Sequence, residues 1–159
     1  MSSFQSKRIT KTCRQINLST PDKVFPLLCP VLEKEWIDGW EYEMIFSMSG
    51  VVEKGCVFQT LSHSNEKTTW YTTRHEPEQF IIEFVRVTPG EMTVRIYIRL
   101  SDNNNGTTVA NIMYEYTPLS ESGNSWIEKE SDAVFNANMT YWENAINHYL
   151  QTGQKLLKS

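Results

Sequence analysis

One arginine is the strongest candidate for recognising a charged ligand. Arg74 follows Trp70 by four positions, and counting across the turn Glu76-Pro77-Glu78 places it beside Phe80, with Trp70 beside Phe84. In that register Arg74 shares the inner face of a sheet with aromatic side chains. Because a guanidinium is a planar fork of donors, the pattern predicts an anion clamp for an apolar ligand. The alternative is an arginine at the sheet rim that pairs with a glutamate of the turn.

Tyrosine and asparagine side chains supply the remaining polar candidates. Tyr114 and Tyr116 fall on the inner face of a later strand, where their hydroxyls could orient a ligand or complete the core. Asn138 falls within an apolar helix face, where an unpaired polar group costs roughly 1 to 3 kcal/mol. The predicted ligand-binding residues are Trp70, Arg74, Phe80, Phe84, Tyr114, Tyr116, Asn138, Tyr141 and Trp142.

The residue types do not identify a catalytic centre. Nucleophilic catalysis needs a serine or cysteine beside an oriented base, and no such motif is present. His63 is predicted in a loop, His75 at a strand end and His148 on a helix flank, so their spacing does not favour a zinc site. We therefore expect neither a metal nor a cofactor, and the catalytic residues, if there are any, stay unknown.

Composition narrows the possible partners. The formal net charge is -4 and no basic run occurs, which argues against nucleic-acid binding. No stretch approaches the roughly 20 apolar residues that span a bilayer. Cys13, Cys29 and Cys56 are odd in number and far apart, which favours a reduced cytoplasm over a disulfide framework. The expected partner is a small apolar or amphipathic ligand, and a homodimer is possible.

The order of elements predicts a sheet followed by a long helix. A strand over residues 7–18 ends at a helix start, where Thr20 is a candidate N-cap and Pro21 the first helical residue. A second short helix is predicted over 31–38, and the alternating residues 40–49 predict the next strand. We expect one domain over residues 1–159, with residues 1–6 loosely attached.

Turn chemistry gives the register of the central hairpin. Thr88-Pro89-Gly90 suits a three-residue loop with a left-handed glycine, which would pair Val87 with Glu91. That register places Glu83 opposite Arg95 on the outer face and pairs Phe84 with Val94 inside. For the strand over 56–61 the register stays open, so either Phe58 or Gln59 points inward.

The C-terminal helix is predicted to begin after Gly123-Asn124-Ser125 and to run to about Leu150, with Gly153 as its stop. At 100° per residue one apolar face forms. Its members are Ile127, Val134, Tyr141, Trp142, Ala145 and Tyr149.

This order of elements resembles the START-like, or SRPBCC, superfamily, whose helix-grip fold is shared by Bet v 1-type proteins and polyketide cyclases. Residues 33–41 (EKEWIDGWE), 55–60 (GCVFQT) and 114–120 (YEYTPLS) are similar to segments of its uncharacterised bacterial members. The resemblance implies an α+β fold in which a curved seven-stranded antiparallel sheet wraps around the long C-terminal helix, with two short helices after the first strand. It also implies a hydrophobic cavity between sheet and helix.

Three functions are compatible with that resemblance. The first is binding or transport of a small hydrophobic molecule. The second is a polyketide cyclase- or dehydratase-like enzyme, against which no inward Asp, Glu or His is predicted to act as a base. The third is a protein-interaction module like the chaperone-activating branch of the superfamily, which would need an exposed apolar patch.

Overall fold

In the described part of the chain, a seven-stranded antiparallel sheet, four α-helices and two 3-10 turns make up the fold. The computed structural model describes residues 3–61 and 65–158, and its strand order is β1-β7-β6-β5-β4-β3-β2. The strands are β1 Ile9–Asn17, β2 Glu43–Phe46, β3 Val57–Leu61, β4 Lys67–Glu76, β5 Ile81–Thr88, β6 Met92–Asp102 and β7 Thr108–Pro118. The helices are α1 Pro21–Val24, α2 Pro30–Trp36, α3 Glu121–Lys129 and α4 Ser131–Thr152. The predicted helix-grip fold is confirmed.

The two short helices dock on the sheet through tryptophan. Trp36 ends α2, is fully buried, and donates its indole N–H to the carbonyl of Leu27 at 3.0 Å. Trp40 donates in the same way to the carbonyl of Pro30 at 2.9 Å. Buried indole N–H groups need such partners, so these two bonds fix the segment that precedes β2.

The central hairpin has the predicted faces but not the predicted register. Thr88 pairs with Met92, so the loop is Pro89-Gly90-Glu91, and Gly90 has the expected left-handed φ of 70°. The predicted pairing of Phe84 with Val94 is therefore wrong, since Phe84 pairs with Ile96. A shift by two residues keeps every side chain on its face. Phe84 is accordingly buried at 6% exposure.

A β-bulge in β4 reverses the expected orientation of Arg74. Trp70 pairs with Arg86 and Thr72 with Phe84, but the register then shifts and Arg74 pairs with Glu83. One extra residue in a strand moves all later side chains to the opposite face. Arg74 consequently lies on the outer face, and the prediction that it points inward is wrong.

The open question about β3 is resolved in favour of Phe58. Phe58 pairs with Trp70 and is buried, and the two rings stack with centroids 5.2 Å apart. Gln59 lies on the other face and donates to the hydroxyl of Thr69 at 3.1 Å.

The C-terminal helix is divided in two, which changes its buried face. Glu130, at φ −125° and ψ −21°, separates α3 from α4. After this break α4 buries Ser131, Phe135, Met139, Ala145 and Ile146, and Ala145 is the one of these five that belongs to the predicted face. The prediction that Val134 faces the core is wrong, because 38% of it is exposed. The stop at Gly153 has the predicted left-handed conformation, and its N–H donates to the carbonyl of Tyr149 at 2.7 Å.

In residues 3–61 and 65–158, no helix is both long enough and apolar enough to cross a membrane.

Candidate ligand-binding cavity

A cavity of about 680 Å³ lies between the sheet and the C-terminal helices. This volume falls in the range of about 300 to 1,000 Å³ that is typical of small-molecule sites. The sheet side includes Thr68, Arg86, Thr88, Met92, Val94, Tyr114 and Tyr116, and the helix side includes Trp126, Phe135, Asn138 and Met139. The wall is thus mixed: Met92, Val94, Phe135 and Met139 supply apolar surface beside several polar and charged groups.

Arg86 is the cation on the sheet wall of this cavity. It alternates with Phe84 on β5 and therefore shares the inner face. Its Cζ lies 5.2 Å from the centre of the Trp70 ring and 5.8 Å from that of Tyr114. Such cation–π contacts hold the guanidinium without using its N–H groups. Within residues 3–61 and 65–158, Arg86 makes no hydrogen bond or ion pair.

Two phenols lie beside Arg86. The rings of Tyr114 and Tyr116 are 5.9 Å apart, and neither hydroxyl bonds to a residue in the part of the chain that the structure describes. Burial raises the pKa of both phenols, against a smaller lowering by the positive charge of Arg86. Both therefore stay protonated near neutral pH, and each can donate a hydrogen bond into the cavity.

The threonines of the wall, in contrast, already have partners. Trp70 donates its indole N–H to the hydroxyl of Thr60 at 2.9 Å. The hydroxyls of Thr68 and Thr88 bond to each other at 2.8 Å. These bonds fix the indole on which Arg86 rests, so the position of the guanidinium is determined by the wall itself.

A carboxyl group approaches the same region from α2. Burial raises the pKa of Glu33 to about 8, because removal of water disfavours the charged form. The negative charge of Glu33 contributes in turn to the raised pKa of Tyr114. Water still reaches part of the half-buried side chain, yet no hydrogen bond or ion pair joins its carboxyl to the described part of the chain.

Three of the predicted ligand-binding residues line the cavity: Tyr114, Tyr116 and Asn138. Asn138 is exposed at the rim, so the predicted burial of this side chain is wrong. Trp70 borders the cavity through its contact with Arg86. Phe84 packs edge-on against the other side of that indole, with centroids 5.8 Å apart.

The other four predicted residues have structural contacts elsewhere. Arg74 pairs with Glu76, its Nε lying 2.6 Å from the Oε2 atom, which is the rim pairing that the sequence left as the alternative. Phe80 has a left-handed φ of 57° and packs against Phe25 beyond the cavity, with centroids 5.9 Å apart.

The last two, Tyr141 and Trp142, anchor neighbouring segments. The Tyr141 hydroxyl accepts the N–H of Asp38 at 2.9 Å and donates to the carbonyl of Leu156 at 3.0 Å. The indole of Trp142 packs on Trp36, with centroids 5.3 Å apart. These contacts join α2, α4 and the segment that follows α4.

Sequence reasoning missed Arg86 and Glu33. A signal for Arg86 was available, because Ile82, Phe84 and Arg86 alternate along one strand and must share a face. Glu33 gave no comparable signal. A seven-residue helix has too short an apolar pattern to orient a single glutamate.

Histidine and cysteine provide no alternative centre in the described residues. No group of three or more metal-ligating side chains occurs there. His75 stacks on Phe25 at 5.6 Å between centroids, and burial lowers its pKa. The predicted loop histidine, His63, lies outside the described residues.

Comparison with known proteins finds the fold in solved structures. No family model matches the chain, and no curated protein matches it. Norcoclaurine synthase from Thalictrum flavum is similar, with a TM-score of 0.66 and 9% identity over 92% of this chain and 88% of that one. An uncharacterised protein from Rhizobium leguminosarum gives a TM-score of 0.68 and 10% identity over 92% of this chain and 97% of the other.

A third similar structure comes from the BE-7585A biosynthetic pathway. The di-domain ARO/CYC protein BexL gives a TM-score of 0.65 and 12% identity over 90% of this chain. The match spans 46% of BexL. Together the three structures establish the Bet v 1-like helix-grip fold for this protein.

Proposed function

We propose that this protein binds a small hydrophobic or amphipathic molecule in the cavity between its sheet and C-terminal helices. The observation that carries the proposal is the convergence of Arg86, Tyr114 and Tyr116, whose donors have no partner in the described residues, on one apolar space. These donors face the cavity and are not among the polar atoms sealed in the core. A ligand that supplies an acceptor gains hydrogen bonds to them, and apolar surface beside convergent polar groups is typical of small-molecule sites.

The structural neighbours support a cavity that accepts ring systems. Norcoclaurine synthase has been solved in complex with dopamine and hydroxybenzaldehyde, both of which contain an aromatic ring. In the present chain Tyr114 and Phe135 line the cavity and pack edge-on against each other, with ring centroids 5.4 Å apart. A planar guest can stack against such rings.

Glu33 favours a second candidate, a cyclase- or dehydratase-like enzyme. The sequence predicted no inward acid, whereas the structure has a half-buried carboxyl with a pKa of about 8 that lies outside the cavity lining but acts electrostatically on the phenol of Tyr114. Such a group can give or take a proton near neutral pH. In that case Arg86 would polarise a carbonyl of the substrate while Glu33 exchanges the proton.

Native mass spectrometry of the full chain purified from cells tests the proposal. We expect a mass excess of one small molecule for each chain, which is released and identified under denaturing conditions. Ala133→Trp, at a lining position, should remove the excess. The matched control Ala137→Trp places the same side chain at an exposed α4 position outside the cavity and should retain it.

The same molecule separates the two candidates. A carrier returns it unchanged after incubation, whereas an enzyme converts it and Glu33→Gln binds it without conversion. If the wild-type protein carries no guest and takes up none from a cell extract, the proposed function is wrong.

A further inference from the structure

The charged groups around the cavity are unevenly distributed. Lys129 and Glu130 lie at its exposed rim, Glu91 lies at the turn before β6, and Arg86 lies on the inner wall. In the described residues, two cations therefore line the cavity: the exposed Lys129 and the inward Arg86. Arg86 is partly buried and has no counter-ion in the described residues, so a negative charge beside it would be favourable.

The formal net charge of the chain is -4. The overall field of the protein therefore repels an anion, and long-range attraction would not bring one to the cavity. A preference for an anionic guest would have to be local, which makes Arg86 the residue on which it depends.

The contacts of Arg86 suit a carboxylate. The rings of Trp70 and Tyr114 contact the guanidinium as cation–π partners, and its N–H donors remain for an acceptor. A guanidinium fork matches the two oxygens of a carboxylate. The protonated phenol of Tyr114 offers one further donor to the same head group.

We infer that the guest is an amphipathic molecule with one carboxylate, held by Arg86 and Tyr114. This inference rests on the proposed function and adds the chemical class of the ligand. The apolar body of the guest would lie along Val94, Phe135 and Met139. The flexible, polarizable methionine lets that wall adapt to different shapes.

Pyrenebutyrate and pyrenebutanol test the inference by fluorescence titration of the full chain. The two probes share an aromatic body and a chain length and differ in the charge of the head group. We expect the wild-type protein to bind both, with the carboxylate bound at least about tenfold more tightly. Arg86→Met should weaken pyrenebutyrate by about 10- to 100-fold, the effect of losing a charged hydrogen bond. It should leave the affinity for pyrenebutanol within about twofold.

Arg74→Met is the matched control, because it removes the same side chain from the outer face of the sheet. It should change the affinity for neither probe. Arg86→Lys keeps the charge but removes the fork, so it should give an intermediate loss for the carboxylate. This second variant also covers the case in which Arg86→Met does not fold.

The outcomes separate the inference from the proposed function. Equal weakening of both probes by Arg86→Met, or equal affinity of the wild-type protein for both, would overturn the inference and leave the cavity as a neutral binding site. Failure of both probes to bind the wild-type protein would overturn the proposed function and the inference with it.

Discussion

Arginines on the inner and outer faces of the sheet have different partners. On the outer face, Arg95 bonds to Glu83 at 2.8 Å and lies 3.5 Å from Glu115. On the inner face of the neighbouring strand, Arg86 has aromatic contacts and no carboxylate partner in the described residues. Outer charges compensate one another and belong to the fold. The charge on the inner face has no such compensation and could be neutralised by a bound ligand.

The interior also contains an acid that does not neutralise this cation. Glu33 and Arg86 shift the pKa of the same phenol, Tyr114, in opposite directions, yet they form no ion pair. A paired arrangement would close the cavity with a salt bridge. Arg86 lines the cavity and Glu33 does not, so the cation and not the acid is the charged group that a guest would meet.

The largest expected difference between inside and outside lies on α4. Phe135 is 5% exposed and its neighbour Val134 is 38% exposed. Phe135→Asp should lower the free energy of unfolding by more than about 4 kcal/mol, because it removes a core ring and buries a carboxyl. Val134→Asp should lower it by less than about 1 kcal/mol. Urea unfolding measures both.

If Val134→Asp were as damaging as Phe135→Asp, the helix would pack by the continuous apolar face that the sequence predicts. The break at Glu130 would then be absent from the folded protein. Equal, small effects would mean that α4 contributes little to stability.

That break shows where the sequence was insufficient. The pattern correctly predicted the helical region, its stop at Gly153 and the antiparallel strands before it. Periodicity assumes a continuous helix, however, whereas the backbone of Glu130 departs from helical geometry and separates α3 from α4. The sequence around Glu130 contains neither glycine nor proline to announce the change.

The bulge in β4 had a larger effect on the predicted site. A period of two makes face assignments reliable only until one residue is inserted. Thr73 is that residue, so Trp70 was placed correctly and Arg74 was not. Counting along β5 alone places Arg86 inside, since no bulge interrupts that strand. Local alternation was therefore a better guide than pairing across a turn.

A second prediction compares an interior acid with a surface one by changing the pH. The pKa of Glu33 rises from about 4.5 in the unfolded chain to about 8 in the folded protein. The folded state therefore binds more protons than the unfolded state between these two pKa values. The contribution of Glu33 to the free energy of unfolding is fully present below pH 4.5 and is lost as the pH rises through 8. Glu33→Gln should remove this loss and raise the free energy of unfolding at alkaline pH by about 2 to 4 kcal/mol relative to wild type.

Glu35→Gln is the control, because Glu35 is exposed on the same helix. It should follow the wild-type pH profile. The lowered pKa of His75 has the opposite effect on the pH profile, because protonation of His75 destabilises the folded protein as the pH falls below 6.5. Its contribution cancels in the difference between Glu33→Gln and wild type. A difference that does not vary with pH would show that the carboxyl of Glu33 is solvated.

The smallest expected change in the free energy of unfolding has opposite signs on the two faces of the sheet. Arg95→Met removes bonds to Glu83 and Glu115 on the outer face and should lower the free energy of unfolding by about 1 kcal/mol or less, because Arg95 is partly solvated. Arg86→Met removes a partly buried cation that has no counter-ion in the described residues and keeps an apolar stem against Trp70, so it should raise the stability slightly, by up to about 1 kcal/mol.

The measurement needs empty protein, so both variants and the wild type are refolded from denaturant before thermal and urea unfolding. A bound guest would stabilise the folded state by mass action and hide the difference. If Arg86→Met instead costs more than about 2 kcal/mol, its contacts with Trp70 and Tyr114 hold the sheet together and the cation belongs to the fold. A rise in stability on removing Arg86, together with a loss on removing Arg95, would show that the inner charge costs the empty protein stability. We would then expect an anion bound in the cavity to offset this loss of stability, which would explain why Arg86 is retained.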